Sequence, residues 1–373
     1  MMKLQVSKTS PLPLHIQLLD DLRHKVLTGV FHPHERLLGE WEIAQELEIS
    51  RTTIQKAWQS AEEENLIYRI HGKGTFVSGP QPQTAVRKSI GLILPDFRST
   101  SAAQTMHGVE RVFRRKGYRV QVAGSEYSVA EEDRMLNEMR TDGVVGYIVW
   151  AVESDNHERL LSQLSESVPT VLLDRPVAQL HLPCVSSNNY VGGMQAMTHL
   201  IELGHRNIAF LARPHLHLAS VAERYRAYRD ALYEVGERPA EPILIGNEHE
   251  LSSYDAYLTN DQASLTPLIE RLRQPDRPTA IFAVNDWMAI RILRATTSVG
   301  LRVPHDLSLV GFDNLDVSKS LTPPLTTVAQ NAEVIGAEAA YRLLNLIDGE
   351  PMREVLSLIP TQLIVRESTM QVQ

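Results

Sequence analysis

From Ser89 onward, short apolar runs alternate with amphipathic segments of helical period, and this alternation restricts the fold more than any other property of the chain. Candidate strands fall at Ile90 to Leu94, Tyr118 to Ala123, Val144 to Trp150, Thr170 to Leu173, Ile208 to Leu211, Ala280 to Ala283 and Leu307 to Phe312. Candidate helices lie between them, at Ala102 to Lys116, Ala130 to Thr141, Tyr190 to Leu203, Val221 to Val235 and Asp286 to Val299. Strand, helix and strand in that order return to one sheet in parallel, so the pattern predicts an α/β fold with helices on both faces of parallel sheets. Roughly 280 residues are more than one such sheet takes, and two lobes are expected. Ligands in open α/β sheets sit outside the carboxyl ends of the strands. Those ends carry Asp96, Trp150, Asp174, Asn285-Asp286 and Asp313, and two facing lobes would form a cleft around them.

The first 78 residues follow a different pattern. Ile16, Leu19, Leu22 and Val26 stand at helical spacing in a segment that ends at Gly29, and a second helix is expected from about Glu40 to Leu47, burying Ile43, Ala44 and Leu47. After a tight turn at Glu48-Ile49-Ser50, Ser50 is placed to cap a third helix, whose apolar face is Ile54, Ala57, Trp58 and Ala61. Thr52, Thr53, Gln55, Lys56 and Gln59 face outward. Leu66 to Ile70 and Thr75 to Val77 read as two short strands joined by His71-Gly72-Lys73-Gly74. The pattern is a winged helix-turn-helix. Ser78-Gly79-Pro80-Gln81-Pro82-Gln83-Thr84 has nothing to pack into a core, so residues 79–88 read as a linker between a head (1–78) and a body (89–368).

A formal net charge of -8 runs against nucleic-acid binding, which depends on cations that displace counterions. The average conceals the distribution. Residues 1 to 79 hold nine Lys/Arg and ten Asp/Glu, while the run Ser50 to Trp58 and the wing present Arg51, Lys56, Arg69, His71 and Lys73 with no acid among them. Cys184 is the one cysteine, which excludes a disulfide framework and a multi-thiolate zinc site. The pairs His199/His205 and His215/His217 lack a neighbouring ligand in metal spacing, so no metal is expected. Gly72-Lys73-Gly74-Thr75 lacks phosphate-loop spacing and Gly-x-Ser-x-Gly does not occur, so no cofactor and no enzyme activity are expected either. Met1-Met2-Lys3-Leu4-Gln5 has no signal-peptide core, and no stretch approaches the roughly 18 apolar residues of a membrane span. The expected location is the cytoplasm.

Particular motifs carry two resemblances. Pro13-Leu14, Ile16-Gln17, Glu40, Ile43-Ala44, Ser50-Arg51-Thr52-Thr53 and His71-Gly72-Lys73-Gly74-Thr75-Phe76-Val77 resemble the GntR-type winged-helix domain over essentially its whole length. The resemblance implies base and phosphate contacts from Arg51, Thr52 and Thr53, and a wing tip at His71 and Gly72 that reaches the minor groove. Gln55, Lys56 and Lys73 complete the expected DNA-facing set. Trp41 and Gln55 stand where that family often has DNA-contacting arginines.

Residues 89 to 368 look like the effector domain of LacI/GalR-type repressors, itself similar to periplasmic sugar-binding proteins. The likeness rests on Ser89-Ile90-Gly91-Leu92-Ile93, Leu203-Gly204-His205-Arg206-Asn207-Ile208-Ala209, Arg224 with Tyr228, Asn285-Asp286 with Met288-Ala289, Val310-Gly311-Phe312-Asp313-Asn314 and Pro323-Pro324-Leu325-Thr326-Thr327-Val328. It implies that Asp174, Arg224, Asp286 and Asp313 bind effector. The combination resembles the chimeric GntR/LacI repressors of the arabinose-responsive type.

Carboxylates beside an arginine suit a sugar: carboxylates accept from adjacent hydroxyls, and a guanidinium donates to hydroxyl or ring oxygens. Trp150 is placed to cover the apolar face of a pyranose or nucleoside. The bland reading makes Asp174, Asp286 and Asp313 helix caps or turn formers, as aspartate after a strand often is. The expected function is a ligand-controlled transcriptional repressor of carbohydrate genes, binding a palindromic operator as a homodimer. The alternative is a sugar-binding or sugar-processing protein with an incidental head, which turnover of a candidate sugar would support.

Overall fold

The computed structural model describes residues 4–8, 10, 12–70, 72–78, 88–152, 168–177, 180–246, 265–351 and 354–372. His71 and linker residues 79–87 lie outside the described residues. The chain divides into two compact units, residues 1–86 and 87–373.

In the first unit, α1 (Leu14–Leu27), α2 (Glu40–Leu47) and α3 (Arg51–Glu63) precede β1 (Ile67–Ile70) and β2 (Gly74–Val77). Leu18 and Leu22 from α1, Ile43 from α2, and Ile54, Ala57, Trp58 and Ala61 from α3 meet in one core, closed below by Ile67 and Val77. The α1 stripe thus centres on Leu18 and Leu22; Ile16, expected inside, is exposed. Glu48 takes a left-handed conformation at the end of α2, and Ser50 Oγ accepts from Thr53 N to start α3. β1 and β2 pair antiparallel, with Ile67 opposite Val77 and Ile70 opposite Gly74. The turn needs glycine at Gly72 (φ +73°) and Gly74 (φ +116°), where a side chain would strain the backbone. Arg36 bridges to Phe76 on the outer edge of β2, adding a third short segment to the wing sheet.

The second unit has two lobes. One sheet has the order β13-β7-β6-β5-β3-β4, built from β3 (Ser89–Leu94), β4 (Arg119–Gly124), β5 (Tyr147–Val149), β6 (Thr170–Leu173), β7 (Cys184–Ser187) and β13 (Leu356–Ile359), with neighbouring strands parallel throughout. Alternate residues serve opposite faces. Ile90, Leu92, Leu94, Ile148, Val171 and Val185 pack under α4 (Thr100–Arg115) and α10 (Ala332–Ile347), while Ile93, Tyr147, Val149 and Leu172 pack against α5 (Val129–Thr141). Helices α4 and α10 touch backbone to backbone: a Cβ at Gly108 would overlap the carbonyl of Glu333, and one at Gly336 the carbonyl of Thr105.

The other sheet runs β14-β12-β11-β10-β8-β9, from β8 (Ile208–Ala212), β9 (Ile243–Leu244), β10 (Ala280–Ala283), β11 (Ser308–Asp313), β12 (Thr326–Ala329) and β14 (Gln362–Ile364), antiparallel only between β12 and β14. Its helices are α6 (Asn189–Glu202), α7 (Ala219–Glu234), α8 (Thr266–Arg273) and α9 (Asp286–Ser298). Phe210, Phe282, Phe312 and Tyr228 anchor its core. In both sheets the second strand lies outside the first and the third on its other side, so each has a reversal of strand order where the strand ends leave a crevice. Among the described residues the chain passes between lobes at Asn188, Gln330 and Pro360. No helix among them is long and apolar enough to cross a membrane.

Candidate functional site

The outer face of α3 presents Arg51, Thr52, Gln55 and Lys56, all exposed, with Thr53 half-buried. The Thr52 and Thr53 hydroxyls lie 2.8 and 2.7 Å from Ser50 Oγ, so the cap also orients both threonines. Gly72 and Lys73 are exposed at the wing tip. Trp58 is fully buried in the head core and Trp41 is 64% exposed. The face is not free of acid, as the local sequence implied. Glu40, at the first turn of α2, accepts from Gln55 Nε2 at 3.1 Å and lies 3.8 Å from Arg51 Nη2 and 3.4 Å from Arg69 Nη1; Glu62 holds Arg69 Nε at 3.1 Å. Folding brings these carboxylates to cations that are remote in sequence.

In the second unit, the carboxyl ends of strands from both lobes enclose a cavity of about 410 Å³. The first lobe contributes Asp96 after β3, Trp150 after β5 and Asp174 after β6; the second contributes Arg213 and His215 after β8, Asn285 after β10, Asp313 at the end of β11 and Arg224 from α7. Asp174 (φ +66°) and Asp313 (φ +110°) both sit at left-handed bends. Such conformations cost about 1–3 kcal/mol each and persist where surrounding structure dictates them.

Arg224 is buried and fixed on several sides: Nε donates to Asn189 Oδ1 at 2.9 Å, Nη1 donates to Val284 O at 2.7 Å, and the guanidinium lies 3.7 Å from the Phe312 ring centroid. Its Nη1 is 3.8 Å from Asp313 Oδ1. Burial pushes the Asp313 carboxyl up to about 7; Arg224 and a hydrogen bond from Gln330 oppose that, while Asp286 and Asp174 reinforce it. Asp174 pairs with Arg175 Nε at 3.3 Å and accepts from Ser220 Oγ of the other lobe at 3.4 Å. Asp96 is bound to Arg98 at 2.8 Å on the cavity margin. The Trp150 indole borders the cavity, and its buried Nε1–H has no hydrogen-bond partner among the described residues.

Asp286 is placed differently from the sequence expectation. It does not line the cavity. As the first residue of α9 it turns inward, fully buried, where it accepts from Leu315 N at 2.8 Å, Thr327 Oγ1 at 2.6 Å and the Ser318 hydroxyl. Burial pushes this carboxyl up to about 6. The preceding residue, Asn285, faces the cavity instead: its Oδ1 caps α9 by accepting from Met288 N at 2.9 Å, which leaves Nδ2 as a donor at the wall. Asn189, which lies behind Arg224, and Gln330, which lines the cavity beside Asp313, carry no signal of a site in the sequence.

The histidines have other work. His205 contacts Thr279 Oγ1, Ser308 Oγ and Met370 O, tying strand starts to the C-terminal segment, and His199 contacts Thr369 Oγ1. No cluster of His, Cys, Asp and Glu able to hold a metal occurs among the described residues.

Residues 15–77 match the model of bacterial regulatory proteins of the gntR family, and residues 197–369 match the periplasmic binding protein-like domain. The arabinose metabolism transcriptional repressor of Geobacillus stearothermophilus is 31% identical, over 98% of this chain and all of that protein. Among solved structures, the transcriptional regulator CelR in complex with cellobiose superposes with a TM-score of 0.63 at 27% identity, covering 86% of this chain and 91% of that one. The lac repressor dimer bound to operator and the anti-inducer ONPF superposes with a TM-score of 0.64 at 25% identity, over 76% of this chain and 94% of that one. With a gntR-type winged head, a two-lobed periplasmic-binding-protein-like body and a relative aligned end to end, this chain belongs to the family of the arabinose metabolism transcriptional repressors.

Proposed function

We propose that the protein is a transcriptional repressor of sugar-metabolism genes, whose head holds operator DNA and whose cleft binds the sugar that controls it. The observation that carries this reading is the composition of the interlobe cavity. Carboxylates at Asp174 and Asp313, the Arg224 guanidinium, the Asn285 amide and the Trp150 indole converge there from both lobes. Vicinal hydroxyls supply donors to the carboxylates and acceptors to Arg224 and Asn285, and the indole covers an apolar sugar face. The volume falls within the range of small-molecule sites, about 300–1,000 Å³.

A sugar that touches both lobes favours their closed arrangement by its differential affinity. The names of the relatives point to a carbohydrate effector, and L-arabinose is the first to test. The head presents few cations, so a single copy would neutralise few phosphates; a homodimer on a palindromic operator supplies the missing contacts. The body acts by binding and performs no turnover.

The test is calorimetric titration of the full chain with L-arabinose, other pentoses, hexoses, cellobiose and nucleosides, paired with anisotropy on DNA from upstream of its own gene. Sugar binding that changes DNA affinity is expected. Arg224→Ala should hold DNA and ignore the sugar, and Arg51→Ala should bind sugar and lose DNA. Chemical conversion of a bound sugar, or sugar binding without effect on DNA, would overturn the reading.

A further inference from the structure

The cavity's charge pair is part of a closed circuit of polar contacts that passes through two of the crossovers between lobes. Arg224 Nε donates to Asn189 Oδ1 at 2.9 Å, and Asn189 Nδ2 donates to Ser187 O at 3.0 Å. The Ser187 hydroxyl donates to Gln330 Oε1, and Gln330 Nε2 donates to Asp313 Oδ1 at 2.6 Å. Asp313 Oδ1 completes the circuit 3.8 Å from Arg224 Nη1. A branch reaches the opposite lobe, where Ser186 Oγ donates to Asp174 O and lies 3.4 Å from Asn189 Nδ2. Ser187 and Asn189 flank the first crossover, at Asn188, and Gln330 occupies the second.

We infer that Asn189 and Gln330 are positioning residues of the cleft: each presents a charged group of the cavity to the ligand while its other end is fastened at a crossover. The Gln330 amide spans the gap with both ends committed, donor to Asp313 and acceptor from Ser187. Ser187 ends a strand of the first lobe and Gln330 follows a strand of the second, so on this inference a rotation of the lobes is felt at their contact. That movement alters how Asp313 is held, and a ligand that engages Asp313 sets the same contact from the other side. Coupling of this kind is reciprocal. For its biological meaning the inference rests on the effector role proposed above.

The test therefore has a ligand-free readout. Trp150 and Trp287 line the cavity with Asp313, so the full chain's tryptophan fluorescence is titrated from pH 5 to 9; the component absent from Asp313→Asn belongs to that carboxyl. The groups facing Asp313 are Arg224 from α7, Asp286 from α9, Asp174 from the end of β6, and Gln330 itself. Gln330→Leu removes a donor to the charged carboxylate, so the midpoint should rise by about one pH unit, tenfold in the protonation constant. Ser187→Ala lies outside the cavity and removes only the far anchor; its midpoint should rise by roughly half a unit, about threefold. Sugar titrations of the same proteins should show weaker binding in the same order. Unmoved midpoints in both variants would overturn the inference, as would a shift in Gln330→Leu alone, which would make the amide a local contact independent of the crossover. Shifted midpoints in a protein that binds no sugar would uphold the circuit and refute the effector reading.

Discussion

Asp286→Asn separates service to the protein from service to the ligand. The carboxylate takes Leu315 N and the Ser318 hydroxyl on Oδ2 and the Thr327 hydroxyl on Oδ1. An asparagine can keep its oxygen toward Leu315 and turn its amide toward Thr327, whose hydroxyl reorients to accept. The lost charge assistance costs about 1 kcal/mol. The pH dependence is more diagnostic. Burial raises this carboxyl from 3.8 to about 6 in the fold, so its contribution to stability is full below the lower value and is lost as pH rises through the upper one. A gap of roughly two units is worth about 3 kcal/mol, of which roughly half is lost between pH 5 and pH 8. Asparagine has no such proton. Urea titrations of wild type and variant at pH 5, 6, 7 and 8, followed by tryptophan fluorescence, should show the variant gaining on wild type by about 1.5 kcal/mol across the range. Sugar affinity should stay within about threefold. A stability difference independent of pH, or lost sugar binding at unchanged stability, would refute the assignment and turn Asp286 toward the cavity.

Three further outcomes are expected. Gly336→Ala puts a methyl group against the Thr105 carbonyl, forces α4 and α10 apart, and should cost about 1–3 kcal/mol in the body's calorimetric transition; an unchanged transition would contradict the close helix contact. Glu40→Gln removes the acid nearest Arg51 and Gln55 and should tighten operator binding about fivefold by anisotropy at fixed salt, a gain of about 1 kcal/mol, whereas weaker binding would make Glu40 an organiser of the DNA face. Burial holds the His205 imidazole below its ordinary range, so its contribution to stability is full above about pH 6.5 and is lost as pH falls further, through the depressed value in the fold. The acid-side fall in thermal stability should accordingly be shallower in His205→Gln than in wild type.

The order of elements in the body was legible because each strand buried on both faces is a short apolar run and each helix repeats at its own period, as Ile90 to Leu94 and Ala102 to Lys116 illustrate. Strand β7 was not, because Cys184-Val185-Ser186-Ser187 carries two hydroxyls that the fold spends on Asp174 and Gln330. Strand β13 exposes Leu356 and Leu358 and has no clean apolar face. At the cleft, strand ends pointed to Trp150, Asp174 and Asp313, which line the cavity. The Asn285-Asp286 pair shows where such reading stops. Asn285 is the extended cap of α9 and Asp286 its first helical residue, so one side chain faces the ligand space and the next faces the core. Asn189 and Gln330 were invisible for another reason: the contact between Ser187 and Gln330 joins positions 143 residues apart and exists only because the chain crosses between lobes. Likewise Glu40 approaches Arg51 and Arg69 only after α2 has packed on α3.

The repeated passage between lobes has a consequence for how such a protein can be recombined. The first lobe takes its covering helix α10 and edge strand β13 from beyond residue 331, after the sheet of the second lobe has largely been laid down. No single cut in the gene yields either lobe whole, so transplanting a new effector preference by exchanging one lobe would require splicing at several junctions in register. The head lies within the first 86 residues of the chain. One junction suffices to give the body a different operator reader, so in this architecture a change of DNA target needs one genetic event, whereas exchanging a lobe needs several.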